Sequence, residues 1–139
     1  MHLFHPALLH FSVAFITVGG ACEVVGLLLR RELIERFGAQ LLLIGLASLV
    51  PTMISGYLAA NTVDVTNEGR VLLDAHERNG WIVLLLLLGT QFWKAWCGGS
   101  LGASWQKLYA ALVAAVVLLT LYGAWLGGQM VYVQGVGVR

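Results

Sequence analysis

Apolar residues run along this chain in four long blocks parted by short polar segments, at about residues 6–29, 39–60, 79–97 and 107–127. Each block approaches the ~20 residues a helix needs to cross ~30 Å of hydrocarbon. The pattern therefore predicts an all-α fold, a transmembrane four-helix bundle. Connections this short leave room for one domain, residues 1–139, integral to the membrane.

Composition strengthens that reading. Of 139 residues, 59% are hydrophobic and 11% charged, and the mean hydropathy is +0.83, whereas soluble domains carry roughly a quarter charged residues. The formal net charge of +1 argues against nucleic acid as a partner. Membrane lipid is the expected surroundings.

Charge placement orients the bundle. Only Met1 and His2 precede the first rise in hydropathy at the helix start, while Arg30, Arg31 and Arg36 follow the block, the reverse of a cleavable leader. The first span is expected to be retained, with its N-terminus outside. Inner segments then hold Arg30, Arg31, Arg36, Lys94 and Lys107, and outer ones hold Arg70, Arg78 and Arg139, a modest positive-inside bias. Both termini are expected on the outer side. The acidic Asp64, Glu68, Asp74 and Glu77 gather in the proposed outer loop, residues 61–78, where a short amphipathic piece near residues 71–76 is a lid candidate.

Within the blocks, Pro6 suits a first helical turn and puts His5 at or beside the N-cap. Gly45, Ser48, Thr52, Ser55, Gly56 and Ala59 share one face of the second helix, predicted to be the bundle interior. Pro51 predicts a bend, with Ser48 or Thr52 able to occupy the freed carbonyl. Trp93, Trp96, Trp105 and Tyr109 form one aromatic belt; Tyr57, Trp81, Tyr122 and Trp125 form the other. Ala111 and Ala115 make a small-xxx-small pair, Gly127 and Gly128 are expected to end helix four, and the tail alternates like a short extended segment.

Four histidines, His2, His5, His10 and His76, all fall toward the outer surface. Imidazole near lipid is costly, which asks for a metal, a heme or a proton path. His10 shares its face with Ala14, Thr17 and Ala21; His76 shares its face with Gly80, Val83 and Leu87. A flat macrocycle between helices needs one axial imidazole from each and little bulk one turn away, and His10 with Ala14 against His76 with Gly80 meets that demand. One bis-histidine heme b, its iron on His10 and His76, is the expected cofactor, with His5 a neighbour able to cap the helix or meet a propionate. The same histidines can instead hydrogen-bond to carbonyls, carboxylates or headgroups, or hold zinc, iron or copper beside Asp74 and Glu77, although neither HxxxH nor ExxH occurs. His2 reads as surface.

Glu23 is an acid inside the first span. It lies about 140° around the helix from His10, so it needs its own partner: a proton relay or quinone contact, or pairing with Lys94, Lys107 or a hydroxyl. Cys22 and Cys97 read as small packing residues, since no CxxCH or CxxC occurs. No phosphate loop is present. Catalysis by the chain alone is not expected.

The stretch HPALLHFSVAF at residues 5–15 and the tail GGQMVYVQGVGV at residues 127–138 resemble the bacterial membrane family catalogued as domain of unknown function 2231, over essentially the whole chain. Its members usually read HPxxVHFPI, so Ser12 stands where they have proline, and Gln134 stands where the tail often has histidine. The resemblance implies a bacterial inner-membrane module that accompanies redox domains such as cytochromes and Rieske-type proteins. It also implies recurring residues at His5, His10, His76, Gly127, Gly128, Tyr132, Gly135 and Gly137.

Together these readings give a small multi-pass membrane cytochrome of b type, an electron-transfer subunit exchanging electrons with a quinol-linked subunit or cytochrome c. The alternative is a structural or anchor subunit of a larger membrane redox complex, without its own cofactor. A metal or proton transport module is the third.

Overall fold

A computed structural model describes residues 4–63, 65–99 and 101–136. His2, Asp64, Gly137 and Arg139 lie outside the described residues. Four helices follow one another: α1 (Phe4–Leu29), α2 (Glu32–Ala60), α3 (Asn67–Trp96) and α4 (Ala103–Tyr132). Each packs on its neighbours in chain order and α4 closes back on α1. This leaves α1 diagonal to α3 and α2 diagonal to α4.

Among the described residues three helices, α1, α2 and α4, are long and apolar enough to cross a membrane. Their outward faces carry Phe11, Val18, Leu43, Ile54, Leu118 and Leu121, all exposed, as helices facing lipid require. Between such helices the hydrophobic effect supplies little, because lipid tails are as apolar as leucine; close packing must hold them. The α1–α2 pair shows how. Gly19 and Gly26 on α1, and Gly38 and Gly45 on α2, each sit seven residues apart. A Cβ at Gly26 would lie 2.3 Å from the Glu35 nitrogen, and one at Gly38 would lie 2.3 Å from the Glu23 nitrogen. The backbones touch where any side chain would hold them apart. Ile16, Leu42, Leu87, Val113 and Val116, all fully buried, fill the middle layer.

Helix ends depart from the sequence pattern for identifiable reasons. The α1–α2 turn is a Schellman-type closure, with Arg30 in the left-handed region at φ 53° and the Arg31 N–H on the Gly26 carbonyl at 2.8 Å. Helix α2 therefore starts at Glu32 rather than residue 39, with its first turn carried by the exposed Glu32–Arg36 pair. Helix α3 starts at Asn67, capped by the Thr66 hydroxyl, which accepts the Gly69 N–H at 3.1 Å. The expected long outer loop is thus mostly helix. Gly69, Leu73, Asn79 and Val83 face inward there, and Asp74, Glu77 and Arg78 face outward.

Helix α4 likewise runs through Gly127 and Gly128 to Tyr132. Glycine permits a helix to end without forcing it, and here Gly127 gives the His76 ring room, 3.7 Å from where its Cβ would be. The chain then turns at Gly135, φ 66°, and brings Val136 against Gly69, so the tail folds over the start of α3. Three smaller expectations also change. Pro51 lies on an exposed face of an unbroken α2, and the Ser48 and Thr52 hydroxyls bond Gly45 O and Ser48 O rather than the carbonyl of residue 47. Ala111 is exposed rather than packed on a helix. Tyr109 is fully buried rather than part of an aromatic belt.

Candidate functional site

At the end of the bundle that carries the termini, the small face of α2 packs on α1 and supplies a string of hydroxyls. Ser12, nearly fully buried, meets the Ser48 hydroxyl at 3.1 Å and the Thr52 hydroxyl at 2.9 Å. Above them, His5 Nδ1 lies 3.0 Å from the Thr52 carbonyl and 3.1 Å from the Ser55 hydroxyl. Its ring fills the notch of Gly56, where a Cβ would come within 2.8 Å of Cε1. A carbonyl only accepts, so this bond puts the ring proton on Nδ1 and leaves the Nε2 lone pair open.

His76, from the diagonal helix α3, repeats the arrangement against α4. Its Nδ1 donates to the Gly123 carbonyl at 3.0 Å. One turn deeper, the Asn79 amide donates to the Leu119 carbonyl at 2.9 Å and lies over Gly123, where a Cβ would meet Nδ2 at 2.6 Å. His76 stands one turn outside the third apolar block, and its pKa is lowered from the ordinary imidazole value. Burial is the main cause and the charge of a protonated His5 the second, opposed by the bond to Gly123.

His10 takes a different position. It is exposed, and its Nδ1 bonds the Pro6 carbonyl of its own helix. The structure turns His5 toward α2 and His76 toward α4 at one end of the bundle and leaves His10 with Ala14 on the outward face of α1. The reason is helical phase: five residues rotate a helix by about 140°, and the tight glycine contact with α2 fixes which side turns inward. Gly80 on α3 is half-buried and open, with Met53 Cε the nearest atom to a would-be Cβ, at 3.9 Å. Tyr132 is 88% exposed and joins neither histidine. No group of three or more histidine, cysteine or acidic side chains able to hold a metal ion occurs among the described residues.

A second polar centre occupies the opposite end. Glu23, 0% exposed, accepts at Oε1 from the Lys94 ammonium at 2.6 Å and from the Tyr109 hydroxyl at 2.9 Å. Lys94 also donates to Glu35 Oε1 at 2.8 Å, and the Gln91 amide donates to the Tyr109 hydroxyl at 3.4 Å. Each helix contributes to this cluster. Of the partners expected for Glu23, Lys94 and a hydroxyl are there and Lys107 is exposed elsewhere. Glu35 and Tyr109 escaped the sequence reading. Glu35 could have been found from its face, which steps through Gly38, Leu42, Gly45, Leu49 and Thr52, the buried residues of α2.

The family model described as a predicted membrane protein, DUF2231, matches residues 1–139. The chain belongs to the DUF2231 family. Neither a curated protein nor a solved structure matches it. The resemblance carried by residues 5–15 and by the tail is therefore a membership covering the whole chain, and a DUF2231 chain is a membrane protein. In this one, His5 and Ser12 belong to the α1–α2 contact, and Gly127 to the pocket of His76.

Proposed function

We propose that this DUF2231 chain is a membrane electron-transfer subunit whose histidine pair at the termini end holds one heme b. The observation that supports the reading is the matched pair of imidazoles on diagonal helices, each with Nδ1 tied to a main-chain carbonyl and Nε2 free. That is how proteins orient histidine ligands, because the second-shell carbonyl fixes tautomer and ring direction together. The pair differs from the one the face pattern suggests: His5 takes the place of His10 opposite His76. Gly56 and Gly127 make room for the two rings themselves, and Gly80, one turn from His76, adds no side chain, the low bulk that an iron macrocycle standing between helices would need.

Bound there, the heme would supply a one-electron couple. The chain's own residues would hold its ligands rigid through Thr52 O and Gly123 O and surround them with helices that exclude water. The bundle is read as passing four times through a bacterial inner membrane, α3 spanning beside α2 and α4 on its apolar centre. Its termini are periplasmic and Arg30, Arg31, Arg36, Lys94 and Lys107 lie toward the cytoplasm. Electrons would then pass near the periplasmic face, to or from cytochrome c or a quinol-linked subunit.

A second reading also has an observation behind it. The same Nδ1 bonds join α1 to α2 and α3 to α4, as helix staples in an anchor subunit without a cofactor would. Absorbance spectra of protein purified from heme-sufficient cells separate the two. The first reading expects reducible Soret and α bands that vanish in His5→Ala and His76→Ala and persist in His10→Ala. Folded wild-type protein without such bands overturns it in favour of the anchor. Loss in His10→Ala with persistence in His5→Ala overturns the ligand pair.

A further inference from the structure

The cluster at the α1–α2 turn end has unequal charge. Two carboxylates, Glu23 from α1 and Glu35 from α2, face one ammonium, Lys94 from α3; the other polar groups turned to them, Gln91 and the Tyr109 hydroxyl, are neutral. With all three ionised, one negative charge is left over. The exposed Glu32–Arg36 pair balances itself at the surface, and Lys107 is exposed on α4. Excess charge in a water-poor interior is removed most cheaply by taking up a proton.

Glu23 shows where that proton belongs. Its Oε1 receives both the ammonium and the phenol, as the carbonyl oxygen of a carboxylic acid can. Its Oε2 is buried and, with Thr17 Oγ1, is one of two buried side-chain oxygens without a hydrogen-bond partner among the described residues. A bare carboxylate oxygen there forfeits its solvation, whereas a carboxylic O–H forfeits far less. We infer that Glu23, Glu35 and Lys94 form a proton-binding site, holding one proton on Glu23 Oε2 while Glu35 and Lys94 stay ionised.

Glu35 connects the site to the aqueous phase. Its side chain is 23% exposed, against 11% for Lys94 and 0% for Glu23. The proton enters from the turn end of the bundle, opposite the histidine pair, and the site works whether or not those histidines hold iron.

Infrared spectra of the full chain in lipid vesicles at neutral pH test this through the carbonyl stretch of protonated carboxylic acids, assigned by isotopic labelling of glutamate carboxyls. One such glutamate band is expected. Glu23→Gln should remove it, and so should Glu35→Gln, since Glu23 and Lys94 then balance. Lys94→Met should double it. Labelling of wild-type protein needs no variant to fold. Absence of a glutamate band, as when an internal water donates to Oε2 instead, overturns the proposal, and so does a band that survives Glu23→Gln in folded protein.

Discussion

Glu23 on α1 and Lys94 on α3 meet at 2.6 Å inside the bundle, although their helices stand diagonally apart and 70 intervening residues separate them in sequence. The contact crosses the core, so it ties together the two halves that the hairpins α1–α2 and α3–α4 would otherwise form independently. Removing Lys94 leaves Glu23 and Glu35 without their shared cation in a place poor in water. Lys94→Ala should therefore cost about 3–5 kcal/mol, the range for breaking a buried pair. Glu23→Leu and Glu35→Gln combined with Lys94→Met should recover much of that loss. Detergent-unfolding titrations of the three proteins measure both effects.

The α1–α2 contact predicts opposite outcomes for two glycine-to-alanine changes. At Gly38 a Cβ would collide with the α1 backbone at Glu23, and backbone cannot swing aside as a flexible side chain can. Gly38→Ala should destabilise by at least the ~1–3 kcal/mol typical of overpacking. At Gly89, helical and with nothing within 4 Å of a would-be Cβ, alanine should stabilise by about 0.5–1 kcal/mol through lost backbone freedom in the unfolded chain.

Ser12 marks where this chain leaves the usual family pattern. Its hydroxyl joins those of Ser48 and Thr52, while Ser48 and Thr52 keep their own carbonyl partners. Ser12→Ala should therefore cost only about 0.5–1.5 kcal/mol, one net hydrogen bond. Ser12→Pro should cost more, since proline also removes the helical N–H of that residue. Thermal denaturation of the two variants in one detergent orders them.

His76 gives the termini end a pH dependence. Its folded pKa lies below the ordinary 6.5 because burial and His5 disfavour its charge. A depressed histidine pKa means the unfolded chain binds the proton first. The stability it confers is whole above 6.5 and drains away as pH falls below that value toward the folded pKa. Hydrogen exchange at the amides of residues 67–80 in heme-free protein should accelerate on acidification through that window. His76→Gln, which cannot titrate, should flatten the response.

How far the sequence could be read follows from the kind of information each feature needs. Membrane residence, helical class and the Lys94 partner of Glu23 were legible, because apolar blocks of spanning length and an acid inside one of them have few physical solutions. Helix ends were less so: residues 67–78 look like a loop by hydropathy, yet Thr66 caps them and Gly69 and Leu73 bury one side. Tyr109 looked like an interfacial aromatic because sequence depth does not say which way a ring points.

The histidines divide along the same line. Periodicity alone establishes that His5 and His10 face different ways, since both lie on one helix of fixed pitch. Which of them turns inward is a property of the bundle. It is decided by Gly19, Gly26, Gly38 and Gly45, which bring α1 and α2 to backbone contact and so set the rotation of α1 about its own axis. A one-dimensional pattern fixes angles within a helix; only the packing of glycine surfaces against neighbouring backbone fixes the angle of the helix as a whole.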